Sequence, residues 1–224
     1  ALNKLQAQAG LTQQEMTAFG DDVMALYNDG MGESLSDVAD TAALVKQQFR
    51  EMDASGIQQI TQAAMAMSDT FGMDVNETLR GVNALMTNMG MTAQEAFDYI
   101  AAGAQNGLDK SGELADNLAE YSQIWAQAGF SAQEMFTILQ NGLDSGAYNL
   151  DKVNDFVKEF SISLSDGRIE ENLDSFSERT QNLFAAWQEG TASQKDVFQS
   201  VITDLSTMTS EQETLTLAFN TLSA

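Results

Sequence analysis

The 224-residue sequence predicts an all-α fold, an array of short antiparallel helices arranged as helical-hairpin repeats in a bundle or solenoid, with no sheet. Three observations carry that expectation. The chain has no Pro, the strongest helix breaker, and is rich in Ala, Leu, Met, Gln and Glu, which are good helix formers. Val and Ile rarely alternate with polar residues over any run, so strand signals are thin. Gly-containing joints punctuate the chain with a recurring grammar.

The joints place the helices in order. Gly10-Leu11-Thr12-Gln13-Gln14-Glu15 opens the first, expected over 12–29. The same pattern returns as Gly72-Met73-Asp74-Val75-Asn76-Glu77, Gly90-Met91-Thr92-Ala93-Gln94-Glu95 and Gly129-Phe130-Ser131-Ala132-Gln133-Glu134. These open helices over 74–89, 92–106 and 131–141. A looser copy, Gly190-Thr191-Ala192-Ser193-Gln194, opens 191–208. In each, Gly takes the left-handed conformation that ends one helix, and Thr, Asp or Ser caps the next. Glu three residues after that cap completes a capping box, and the apolar residue before it staples onto the first turn, as Leu11 on Met16 or Phe130 on Met135. The remaining helices are expected over 34–54, 57–71, 112–128, 149–164, 168–189 and 210–222. Leu114, Leu118, Tyr121 and Trp125 form one apolar stripe, and Leu150, Val153, Phe156, Val157, Phe160 and Leu164 form another.

Two segments repeat. Residues 91–97 match 130–136, and 116–122 match 155–161, both at an offset of 39. Between them Gln105-Asn106-Gly107-Leu108-Asp109 matches Gln140-Asn141-Gly142-Leu143-Asp144 at an offset of 35. Asn-Gly-Leu is therefore expected to close the first helix of both copies, making that helix about one turn shorter in the second. A period near 39 with two helices per unit is the mark of a stacked helical-hairpin array. The expected organisation is an N-terminal helical segment over 1–71, the repeat region over 72–165 and a C-terminal helical segment over 166–224.

Composition narrows the chemistry. The chain has no Cys and no His, which removes disulfides, thiolate and imidazole chemistry, and the usual zinc ligands. The 33 acidic and 10 basic side chains give a net charge of −23, spread along the chain without an acidic tail or a basic patch. Phosphate-rich partners such as nucleic acid or anionic membranes would be repelled. No run is long and apolar enough to span a bilayer. The start, Ala1-Leu2-Asn3-Lys4, lacks the apolar core of a signal peptide and an initiator Met, and reads as the start of a piece of a longer chain.

An enzyme built from this chain would depend on paired carboxylates, with Asp21-Asp22, Glu170-Glu171 and Glu159 with Asp155 as the candidates. Each has the neighbours of a solvated helix face, so no catalytic residue is assigned. The stretch from Asn106 to Glu113 mixes oxygen ligands with glycines but lacks the alternating acids of a calcium loop, and its counterpart from Asn141 to Tyr148 has one carboxylate. Both read as helix-to-helix turns, and no metal or cofactor is expected. Gly30-Met31-Gly32 is a joint, not a phosphate loop. Ten of the twelve Met residues lie in 1–91, where core filling is the first reading and an adaptable interface the second. Trp125 and Trp187 read as core anchors.

Several phrases carry a family resemblance. They are Ala-Gln-Asn-Gly-Leu-Asp-Lys-Ser-Gly-Glu-Leu-Ala-Asp-Asn-Leu-Ala-Glu-Tyr-Ser at 104–122, Tyr-Asn-Leu-Asp-Lys-Val-Asn-Asp-Phe-Val-Lys-Glu-Phe at 148–160, Ser-Leu-Ser-Asp-Gly-Arg-Ile-Glu at 163–170 and Lys-Asp-Val-Phe-Gln-Ser-Val-Ile-Thr-Asp-Leu at 195–205. The chain resembles tail tape measure proteins, minor tail proteins of long-tailed phages and prophages of Gram-positive bacteria. The likeness covers 72–224 well and 1–71 in style. It implies a structural virion protein that occupies the tail lumen in a few copies and sets tail length. Its partners would be the tail tube protein, which polymerises around it, and tail assembly chaperones in the host cytoplasm. On infection it would leave ahead of the DNA. Regular capping boxes depart from a single long rod and describe short packed helices. Two rival readings stand beside this one: a helical solenoid that holds a protein partner, and a two-carboxylate enzyme.

Overall fold

The computed structural model describes residues 13–222 and is all-α, with twelve α-helices, one 3₁₀ turn and no strand among those residues. The first joint, Gly10 to Glu15 with its Leu11–Met16 staple, lies outside the described residues and side chains. Contacts divide the chain into two compact units, Ala1–Ser122 and Gln123–Ala224.

The first unit contains α1 (Gln13–Asn28), α2 (Leu35–Gln48), α3 (Ala54–Phe71), α4 (Val75–Met89), α5 (Ala93–Gln105) and the start of α6 (Leu114–Gln127). From α1 to α5 each helix packs against the next and the next but one. That rule is what a stacked hairpin array requires, because a helix with one apolar stripe must be covered from two sides. The buried stripes follow helical spacing: Val38, Ala42 and Val45 on α2, Ile57, Ile60 and Ala64 on α3, and Leu79, Val82 and Leu85 on α4. α4 meets α6 at Gly81, where an added Cβ would lie 2.8 Å from the Ala115 carbonyl oxygen. Arg80 to Asp116 at 2.7 Å and Asn88 to Ser122 at 2.9 Å flank that crossing.

The second unit contains the end of α6, α7 (Ala132–Asp144), α8 (Leu150–Asp166), α9 (Arg168–Glu171), a 3₁₀ turn (Leu173–Ser175), α10 (Glu178–Gln188), α11 (Gln194–Thr207) and α12 (Glu211–Leu222). Its centre is aromatic. Phe198 of α11 meets Phe130, Phe156 and Phe160 edge to face at 5.6, 5.7 and 4.9 Å, and Phe130 continues the chain of rings to Trp125 at 5.1 Å. The fully buried Trp125 donates its indole N–H to Asn154 Oδ1 at 2.7 Å.

The capping grammar holds in full at the Gly90 and Gly129 joints and in part at Gly72, where the Glu77 side chain makes no return bond. Thr92 with Glu95 and Ser131 with Glu134 form reciprocal capping boxes, and Asp74 caps α4 through the Glu77 N–H at 2.9 Å. Phe130 and Met135 are both buried, as a staple needs. The looser joint at Gly190 caps with Ser193 and Asp196, so α11 begins at Gln194 and not at 191.

Three expectations need correction. The helix expected over 34–54 ends at Gln48, where Phe49 leaves helical geometry and the N-cap of Asp53 restarts the chain at Ala54. The helix expected over 168–189 is broken: Phe176 is extended and buried, and Ser177 caps a fresh helix. The third concerns the repeat. Asn141-Gly142-Leu143 does not close α7, which runs on to Asp144, so α5 and α7 are both 13 residues long. At a constant offset of 39, Gly107 corresponds to Gly146, and both take left-handed φ values, +85° and +100°. The closing bonds correspond too: Leu108 N–H to Gly103 O and Ala147 N–H to Gly142 O, each at 2.9 Å. The 35-residue echo is a likeness of words, while the backbone keeps the 39-residue register.

Candidate functional site

The carboxylates singled out in the sequence are not brought together as a dyad. Glu170 and Glu171 are exposed on the short α9, Asp21 is exposed on α1, and Asp22 lies half-buried. Glu159 is held by Arg168 at 2.5 Å, and Asp155 faces Lys152 at 3.9 Å. The Glu159 contact, helped by Asp166, raises the Arg168 guanidinium further above its ordinary range.

Every carboxylate with a resolved shift is pushed toward the ionised form, and helix capping or a polar clasp explains each. The Thr92 backbone N–H and hydroxyl lower Glu95. The Ser131 backbone N–H chiefly lowers Glu134, with the Ser131 hydroxyl and Lys195 adding to it. The Ser193 hydroxyl and N–H lower Asp196. At Asp204 burial pushes upward, but Thr180, Ser177 and Arg179 outweigh it. Asp204 Oδ2 accepts from the Thr180 hydroxyl at 2.7 Å and from the Ser177 N–H and hydroxyl at 2.9 Å each, which ties α11 to the start of α10. A general acid needs a carboxyl group held protonated near neutral pH, and these groups are held the other way.

The loop from Asn106 to Glu113 is a turn between helices. Asp109 spends one carboxylate oxygen on the Leu114 N–H at 2.9 Å. Its counterpart is helical through Asp144. Among the described residues no group of three or more acidic side chains is placed to hold a metal ion.

What the fold offers instead is apolar surface. In the first unit a groove of about 340 Å³ opens between α3 and the α4–α5 joint, with Met52, Ile60, Met86 and Phe97 in its lining. Met65, Met67, Met73 and Met135 are buried, while Met24 is 44% exposed, so the methionines divide between core and surface. Trp187 is half-buried against Phe184 at 5.5 Å, short of its expected place as a core anchor; Trp125 fills that role. Tyr148 stands 91% exposed at the α7–α8 turn. On α12, Leu215 and Phe219 are exposed on one face while Leu217 is buried on the other. No composition signal marks these positions, because exposure of a single apolar residue depends on which stripe the neighbouring helices cover.

No described helix is long and apolar enough to cross a membrane. Neither a curated protein nor a solved structure matches the chain. The family model for phage-related minor tail proteins matches residues 28–222, and the chain belongs to that family.

Proposed function

We propose that this chain is a structural segment of a tail tape measure protein, which helps to set tail length, fills the lumen of the tail tube and is ejected ahead of the DNA. Family membership over 28–222 supports a role in the phage tail. The observation that carries the finer reading is the succession of helices over the described residues, most of them joined by short turns with a left-handed Gly, a chain whose contour grows in step with residue number. The charge of −23 would keep it from adhering to DNA behind it, and the absence of Cys precludes cross-linking within the tube. In this reading the tail tube protein surrounds a few copies and assembly chaperones hold the chain beforehand in the host cytoplasm. The segment carries no catalytic step of its own.

The experiment is tail length by electron microscopy in a phage whose copy lacks residues 91–164. If these 74 residues are counted as extended helix, tails shorten by ~110 Å at ~1.5 Å per residue. Infectious particles with tails of unchanged length would remove the segment from the ruler. A second reading, a helical module that holds a protein partner, has the Met-lined groove beside α3 in its favour. It predicts normal tail length and loss of a co-purifying partner.

A further inference from the structure

The helices α3, α4 and α5 repeat with a period of 18 residues that the 39-residue repeat does not contain. Gly72-Met73-Asp74 recurs as Gly90-Met91-Thr92, and Glu77 as Glu95. The buried positions recur as well. Ile60, Thr78 and Ala96 are spaced by 18 and all buried, as are Ala64, Val82 and Ile100. Outward positions keep the same period: Gln62, Arg80 and Asp98 are all exposed.

Eighteen residues at ~3.6 per turn make five whole turns of α-helix. The apolar stripes of the three helices would therefore stay in phase if both joints became helical. A 7-residue period would supercoil such a rod to the left and an 11-residue period to the right, whereas an 18-residue period leaves it straight.

The joints are built for that change. Each is three residues long, and Gly72 and Gly90 have nearly the same backbone, φ/ψ of 71°/18° and 69°/23°. No atom lies within 4 Å of a Cβ built at either glycine. What each glycine supplies is the left-handed turn alone, and glycine also enters a right-handed helix without a steric barrier.

We infer that Ala54–Gln105 has two forms: the three-helix stack, and one straight helix of ~78 Å with an unbroken apolar stripe, hinged at Gly72 and Gly90. In water the stack prevails because it buries the stripe within itself and against α1 and α2. Where another apolar surface covers the stripe, the rod loses no burial. The biological use of the rod rests on the tape-measure reading; its existence does not.

The test uses the full chain, whose lack of Cys allows clean labelling. Spin labels at Gln62→Cys and Asp98→Cys report the α3–α5 distance. Trifluoroethanol is the probe, since it strengthens helices and weakens apolar burial. Gly→Ala at a left-handed residue disfavours the stack about tenfold and favours the rod about fivefold, a shift of about 50-fold per joint. Gly→Asn keeps the left-handed turn accessible and favours the rod far less than Ala does. The expected result is a short distance in water that gives way to a peak near ~54 Å, the rise over 36 residues at ~1.5 Å each. Gly72→Ala/Gly90→Ala reaches that peak at clearly lower alcohol than Gly72→Asn/Gly90→Asn, which stays close to the wild type. The inference is overturned if the Ala and Asn pairs titrate together. It is overturned equally if the Ala pair shows only a broad distribution without the ~54 Å peak. Unchanged tails in the deletion phage would refute the tape-measure reading while leaving these distances as they are.

Discussion

Replacing Asn154 by Ala tests whether the indole bond is what fixes α6 on α8. Asn154 is 2% exposed and accepts from Trp125 Nε1 at 2.7 Å, with Trp125 itself fully buried. The substitution removes a buried hydrogen bond worth about 1 kcal/mol net and leaves the indole N–H unsatisfied. Stranding that donor sets the cost, so the expected loss is about 1–3 kcal/mol. Trp125→Phe removes the donor and ring volume together and should cost about as much or more. Once either partner is gone, removing the other no longer breaks the bond. The double variant should therefore be more stable than the sum of the two losses implies, by about 1–2 kcal/mol. Urea unfolding followed by far-UV circular dichroism gives all four stabilities, and Trp125 fluorescence in a Trp187→Phe background reports its surroundings directly. A loss below about 0.5 kcal/mol for Asn154→Ala, with additivity in the double variant, would refute the reasoning.

Three further outcomes follow from named contacts. Gly142→Ala places a methyl group 2.5 Å from Val153 Cγ2, so it should destabilise the chain by about 1–3 kcal/mol, and adding Val153→Ala should restore part of that loss in thermal melts. The depressed carboxylates Asp204, Asp196 and Glu134 contribute stability that is complete above the ordinary carboxylate range near ~4 and is lost as pH falls through their lowered values. Urea midpoints between pH 7 and pH 2 should fall across that window, and Asp204→Asn should lower the pH 7 midpoint and flatten the fall; an unchanged slope would count against the clasp. The half-exposed Arg80–Asp116 pair should be worth less than about 1 kcal/mol, and Asp116→Asn should matter less in 1 M salt than in 50 mM.

The sequence made the fold class legible because helix caps act locally. Thr92 with Glu95 and Ser131 with Glu134 can be read as boxes since every atom of the motif lies within four residues. The same locality misled at Gly142. Asn-Gly-Leu looks like a stop in both copies, but a helix stops where its last carbonyls find partners. In the second copy those partners are the N–H groups of Gly146 and Ala147. The break at Phe176 was hidden for a different reason. It depends on Phe176 being buried and on Asp204 reaching back 27 residues to Ser177, which no local window contains. The surface was least legible. Leu215 and Leu217 are alike in sequence, yet the first is 63% exposed and the second 7%, and only the packing of α12 against α8 and α11 separates them.

The neighbour-to-neighbour packing of α1 to α5 also bears on how quickly each unit assembles. Between helices of the first unit the side-chain bonds span 28, 34 and 36 residues, as Gln48–Asn76, Asn88–Ser122 and Arg80–Asp116. In the second unit Ser163–Thr221 and Lys195–Glu134 span 58 and 61. Shorter loops close at lower entropic cost, and chains of low contact order fold faster. During synthesis the first unit gathers its partners hairpin by hairpin, while the second waits for α11 before its aromatic centre can close. A ribosome-bound chain would thus carry a finished first unit and an unfinished second one, whose rings Phe130, Phe156 and Phe160 stay uncovered and open to aggregation until α11 arrives.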